Sequence, residues 1–226
     1  VKKYILFFLV FSSVGFPCWS RGLSSIPGIH DQKADQSAYM LSAGYFQGNF
    51  NLLNNYLVKF KSSRGFSPFF TTVGIDWVLP AGGRHGEHNA SFPNLEFILP
   101  QQISGDSAKF RMIGWHLITS LWSYDVLKEN KKLALDIAPG MDWGQLYIRE
   151  TSGFGKLNYH NPFIAPLARM EFRVVLPPLA FGVRASYRYD ISSPRWKDEH
   201  NDSALAYSRI SGMGFQLFFG WGKISK

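Results

Sequence analysis

The chain has 226 residues and a formal charge of +8, yet only 18% are charged, against about 25% in an average soluble domain. Sixteen per cent are aromatic, 21 are glycine, one is cysteine, and mean hydropathy is close to zero at -0.09. These totals exclude a disordered chain, a disulfide-stapled mini-protein and a bundle of transmembrane helices, and the length favours one domain.

Residues 1–20 read as a secretory leader. Lys2 and Lys3 precede an apolar stretch from Tyr4 to Phe16, and Cys18 and Ser20 flank Trp19 in a small-x-small cleavage pattern before Arg21. Removing this leader takes two lysines and the lone cysteine with it, which lowers the charge to +6. Cys18 is a poor lipidation site because Pro17 precedes it. Residues 21–36 form an N-terminal segment, 37–223 the body of the protein and 224–226 a short tail.

The body alternates at period two, the spacing that places neighbouring side chains on opposite faces of a strand. Tyr39 to Gly48 alternates weakly. Phe69 to Leu79 sets Val73, Ile75, Trp77 and Leu79 against Thr72, Gly74 and Asp76. Leu95, Phe97 and Leu99 form a short third segment around Glu96. Lys109 to Trp122 sets Ile113, Trp115, Leu117 and Leu121 against Gly114, His116 and Ser120, with Phe110 and Met112 out of step, which suggests a bulge or a later strand start. Leu133 to Ile148, Ile164 to Leu176 and Leu179 to Asp190 follow the same rule, and Met213 to Trp221 does so with Phe218 as its exception.

The pattern gives eight strands, and a hairpin within the long second connection, Ala81 to Phe92, would raise the count to ten. Pro177 and Pro178 make a tight turn, whereas Asn49 to Ser67, Thr151 to Asn161 and the polar stretch Ile191 to Tyr207 are long. With both termini on one side, these three long connections share the opposite side. The fold expected is an all-β, closed, antiparallel up-and-down transmembrane barrel.

The two faces support a membrane barrel over a soluble one. The non-apolar face carries Gly, Ala and Ser with Asp136, Asp142, Arg169, Glu171, Arg173, Arg184, Arg188 and Asp190, a set that can pair inside a filled eight-stranded barrel. The other face carries Trp77, Trp115, Trp143, Tyr147, Tyr187, Tyr189, Phe219 and Trp221, candidates for lipid contact and interfacial girdles. On the leader, the alternation, the loop pattern and the aromatic-glycine strand from Met213 to Gly222, the chain resembles the small eight-stranded outer-membrane barrels of Gram-negative bacteria, the OmpA- and OmpX-like group. It departs from them in ending Gly222-Lys223-Ile224-Ser225-Lys226 rather than on an aromatic residue.

The role expected is structural or surface-interactive, with outer-membrane lipid or a protein or ligand at the exposed loops as partners, and the +6 balance is compatible with contact to lipopolysaccharide phosphates. Arg195 and Lys197 are candidates for phosphate contact. Two other readings stand beside it: a lipid A-modifying enzyme of deacylase type, and a soluble periplasmic barrel that binds an apolar ligand. His116 and Ser120 lie four residues apart on one strand, about 13 Å, too far for a nucleophile and its base. His85-Gly86-Glu87-His88 resembles a metal cluster but lies in a glycine-rich loop that does not preorganise ligands. Asn158, His160 and Asn161 form no recognisable constellation. No catalytic, metal or cofactor site is expected, and the dispersed basic residues do not suggest nucleic acid.

Overall fold

The computed structural model describes residues 38–61, 63–79, 87–88, 90–120, 123–127, 132–192, 196–198, 203–205 and 208–222. The expected leader, the segment 21–36 and the tail lie outside the described residues, as do His85 and Arg195.

Among the described residues, twelve strands and one helix follow in chain order. They are β1 (Ala38–Gln47), α1 (Asn51–Lys61), β2 (Phe69–Leu79), β3 (Glu87–His88), β4 (Ala90–Ser104), β5 (Ala108–Thr119), β6 (Ser123–Asp125), β7 (Leu133–Ser152), β8 (Gly155–Leu176), β9 (Leu179–Arg188), β10 (Trp196–Lys197), β11 (Ser203–Leu205) and β12 (Gly212–Gly222). Eight of the strands close a ring in the order β1, β2, β4, β5, β7, β8, β9, β12 and back to β1, every pair antiparallel. Each of the eight ring strands overlaps one of the eight alternating segments of the sequence, β4 and β8 running well beyond theirs. The second connection holds the two-residue β3, which pairs with β6 outside the ring, and no hairpin among the described residues.

The seam that closes the ring runs from Ala38 opposite Gly222 to Phe46 opposite Gly214. It defines a terminal end, at Ala38 and Gly222, and a helix end, where β1 leads into α1. Pro177 and Pro178 turn the chain at the terminal end through a cis peptide bond.

Two connections differ from the sequence reading. Thr151 to Asn161 is not a loop: β7 and β8 stay in register from Leu133 opposite Val174 up to Ser152 opposite Gly155, leaving a turn at Gly153 and Phe154. Alternation weakens there because the outward Arg149, Thr151, Lys156 and Asn158 are as polar as the inward Glu150, so polarity no longer separates the two faces. The irregularity expected on the Phe110 strand also lies elsewhere. β5 and β7 pair without interruption from Ala108 to Thr119, and the register shift falls on β4 between Ile98 and Gln101. The Gln101 side chain repairs it, donating to the Phe69 carbonyl at 2.6 Å and accepting from the Ser67 N–H at 3.1 Å.

Asn49 to Ser67 contains α1. The Asn49 side chain accepts from the Asn51 N–H at 3.3 Å, an N-cap that satisfies one of the first free donors, and Lys59 and Lys61 occupy the last turn, where the helix dipole favours cations. Phe50, Leu53 and Leu57 share one face and are fully buried. The helix leaves β1 and reaches β7 through the Lys61–Glu150 ion pair at 2.9 Å. β1 and β7 stand four places apart in a ring of eight, so α1, about 16 Å long at 1.5 Å per residue, crosses the mouth from wall to opposite wall.

The outer wall is apolar around the ring up to the helix end, where the outward rows of β5, β7 and β8 turn basic. Along β9 and one residue beyond it, the outward row Leu179, Phe181, Val183, Ala185, Tyr187 and Tyr189 covers ten residue steps, about 33 Å along a strand and about 25 Å along the axis of a barrel tilted near 40°. That height matches the hydrocarbon band of an outer-membrane barrel. A soluble barrel would bury this row and wet the other.

Candidate functional site

The interior is layered. At the terminal end, Met40, Ala180, Val175 and Phe218 close the floor. Phe218, out of step by polarity, is in step by direction: it faces inward, and its ring lies where a side chain on Gly182 would stand, Cζ being 2.6 Å from a Cβ built there. The Arg184 guanidinium carbon sits 5.3 Å from the centre of that ring.

The first polar layer is organised by Arg184. Its Nη2 donates to Asp76 Oδ2 at 2.5 Å and to Glu171 Oε2 at 2.8 Å, and its Nη1 to Gln216 Oε1 at 3.3 Å. Arg173 pairs with Asp136 and lies 3.5 Å from Glu171. Arg169 is buried two residues from Glu171 on the same inward row. All these groups are nearly solvent-free, where a charge without its counter-charge is costly.

The second layer is a chain of five. Asn94 donates to Glu96 at 2.6 Å, and Glu96 Oε2 lies 3.1 Å from His116 Nε2. His116 Nδ1 lies 2.9 Å from Asp142 Oδ1, and Arg188 donates to Asp142 Oδ2 at 2.5 Å. Carboxylates thus flank both imidazole nitrogens. No hydrogen bond joins His116 to Ser120 among the described residues, so the residue types suggestive of a hydrolase form no nucleophile–base pair here.

Of the eight interior charges read from the sequence, seven fall in these two layers. Asp190 stands apart: its carboxylate accepts from the backbone N–H of Ser192 at 2.9 Å and of Ile210 at 3.0 Å, folding the β9–β12 connection rather than pairing with an arginine. Asp76, Glu96 and His116 complete the layers although the sequence reading did not group them with the others. The signal was present, since each sits on the non-apolar parity of its strand.

Above the second layer the interior turns apolar, where sequence reading had expected a polar filling. Phe46, Phe70, Phe110, Met112, Leu146 and Phe163 pack inward beneath Phe50, Leu53 and Leu57 of α1. Trp196 joins them from the last connection, fully buried, with its indole N–H donating to Ser208 at 2.8 Å. The expected polar stretch Ile191 to Tyr207 therefore carries the largest buried side chain of the mouth. Asn54 fastens the return of the chain, its amide donating to the Phe66 carbonyl at 2.9 Å and accepting from the Phe66 N–H at 2.8 Å.

The eight expected girdle aromatics all belong to outward rows. Trp77 stacks on Tyr39, ring centres 5.8 Å apart, and Trp221 flanks it at 6.3 Å, forming a band at the terminal end with Phe219 one step above. Trp115 and Trp143 occupy adjacent rows of β5 and β7, and Tyr147, Tyr187 and Tyr189 lie further towards the helix end. At the remaining motif, Glu87 and His88 pair through the backbone with Tyr124 and Ser123, and the described residues contain no cluster of three metal-ligating side chains.

No protein-family model and no curated protein matches the sequence. Solved structures do match in shape. Ail, the attachment invasion locus protein of Yersinia pestis, aligns with 83% of this chain and 98% of its own at 9% identity and a TM-score of 0.40. A major outer membrane protein from Thermus thermophilus aligns with 82% and 99% at 6% identity and a TM-score of 0.45. Ail in complex with the heparin analogue sucrose octasulfate aligns with 83% and 98% at 10% identity and a TM-score of 0.44. The fold of this chain rests on its own closed ring of hydrogen-bonded strands.

Proposed function

We propose that the chain is an outer-membrane barrel with a structural or surface-interaction role, exported by the leader 1–20 and presenting its helix end to the outside. The observation that carries this reading is the inversion of the wall. Below the helix end the outward rows are aromatic and aliphatic around the ring, while the inward rows hold two ion-paired layers and an apolar plug. Such an interior leaves the protein to act through its lipid-facing wall and its capped end.

The filled mouth argues against a channel, since α1 and Trp196 occupy the space a solute would need. The enzymatic reading loses its best pair because Glu96 and Asp142 engage His116. The soluble, ligand-binding barrel would need an apolar inner cavity and a wet outer face, the reverse of this arrangement.

Membrane fractionation with heat-dependent gel mobility tests the reading. The folded chain should partition with the outer membrane and change mobility on boiling. A product extracted without detergent would sink it.

A further inference from the structure

The outer wall changes character abruptly on one side of the barrel. On β5 the outward row runs Leu117, Trp115 and Ile113, then Arg111 and Lys109; on β7 it runs Trp143, Gln145 and Tyr147, then Arg149. The register sets Arg111 directly opposite Arg149, and one step further out aligns Lys109, Thr151 and Lys156 across three strands. Four exposed cations thus occupy an area about 10 Å across the strands and about 7 Å along them.

None of the ion pairs between described residues includes any of the four. Arg149 donates to the neutral Asn158 at 3.1 Å. Glu150, its neighbour in sequence, turns inward to Lys61 and Tyr159. Asp106 lies in the exposed turn beyond Lys109 and forms no ion pair with any of the four. Like charges directly opposite on adjacent strands destabilise a sheet, so an anion bridging Arg111 and Arg149 would relieve a repulsion as well as form charge-assisted hydrogen bonds.

We propose that Lys109, Arg111, Arg149 and Lys156 bind the phosphate groups of a lipid headgroup in the outer leaflet. The inference rests on the membrane reading above. A lipid fits better than a soluble polyanion because the rows continue beneath the cations on β5 and β7 as Ile113, Trp115, Tyr147 and Trp143, and on β8 through Asn158, His160 and Pro162 to Ile164, without a lysine, arginine or carboxylate between. Headgroup phosphates meet the guanidinium and ammonium groups while the acyl chains lie along the apolar rows.

The test uses the folded full chain in neutral detergent micelles, titrated with bis-phosphorylated lipid A, dephosphorylated lipid A and inositol hexakisphosphate. The R111Q/R149Q variant should lose about tenfold in affinity for bis-phosphorylated lipid A, and adding K109Q and K156Q should weaken it further. Lys59→Gln, on the exposed side of α1, should leave it unchanged. Retained heat-dependent mobility shows that the variants fold, and R111Q alone should unfold no more easily than the parent, since it removes a repulsion. Unchanged affinity in the double variant would overturn the proposal. So would dephosphorylated lipid A or the soluble phosphate binding as tightly as bis-phosphorylated lipid A. A chain that fractionates with the outer membrane yet ignores lipid A loses this site alone.

Discussion

Arg188 holds its guanidinium carbon 4.6 Å from the centre of the Phe46 ring while donating to Asp142 at 2.5 Å. One side chain therefore joins the polar interior to the apolar plug, with its charge satisfied below and a π face above. The plug seals the charged layers from water at the helix end, and that seal makes their pairing obligatory.

Arg184 should be the most sensitive position of the interior. Arg184→Met leaves Asp76 and Glu171 buried without their shared cation and should cost about 3–5 kcal/mol. The denaturant midpoint of the barrel in phospholipid vesicles measures this. A variant within about 1 kcal/mol of the parent, a marginal effect, would mean that water reaches this layer.

Leu53→Ala should loosen the cap without opening the ring. Truncating a fully buried leucine costs about 2–5 kcal/mol, here charged mostly to the docking of α1. Faster hydrogen exchange over residues 49–67, with unaltered heat-dependent mobility, is the expected pair of results.

Asn54→Ala removes both hydrogen bonds to Phe66 and leaves that backbone pair unpartnered, at about 1–3 kcal/mol. The effect should appear as proteolytic cutting between Arg64 and Phe69, while the β1–β12 seam stays protected. Equal loss of protection at both places would show that the cap and the ring unfold together.

The outward wall is tested at Leu217, midway along β12 and 59% exposed. Leu217→Arg should cost about 2–4 kcal/mol for folding into a bilayer, a cost that depends on depth in the hydrocarbon. On a soluble barrel the same change would be close to neutral.

Most of the ring could be read from the sequence because the wall separates two unlike media over its full height. Leu179 to Arg188 shows this well: each residue's polarity reports its face. Where both faces meet similar surroundings the signal failed. Phe110 and Met112 looked out of step because inward residues become apolar under α1 just where outward ones become Lys109 and Arg111. The helix itself was hidden among Asn49, Asn51, Asn54 and Asn55, although Phe50, Leu53 and Leu57 carry helical spacing. The interior layers were partly legible. Parity gave their direction, but partners such as Arg184 and Asp76 lie 108 residues apart and meet only when the sheet closes.

The same closure sets an order of events for assembly. β1 can find β12 only after β12 itself has been made, and until then β1 and the growing end of the sheet both present unpaired backbone. Contacts of such sequence separation form slowly, so the open sheet is a waiting state. A protein that captured its last strand would hold the barrel in that state, and removing β12 should leave a chain that aggregates rather than a smaller barrel.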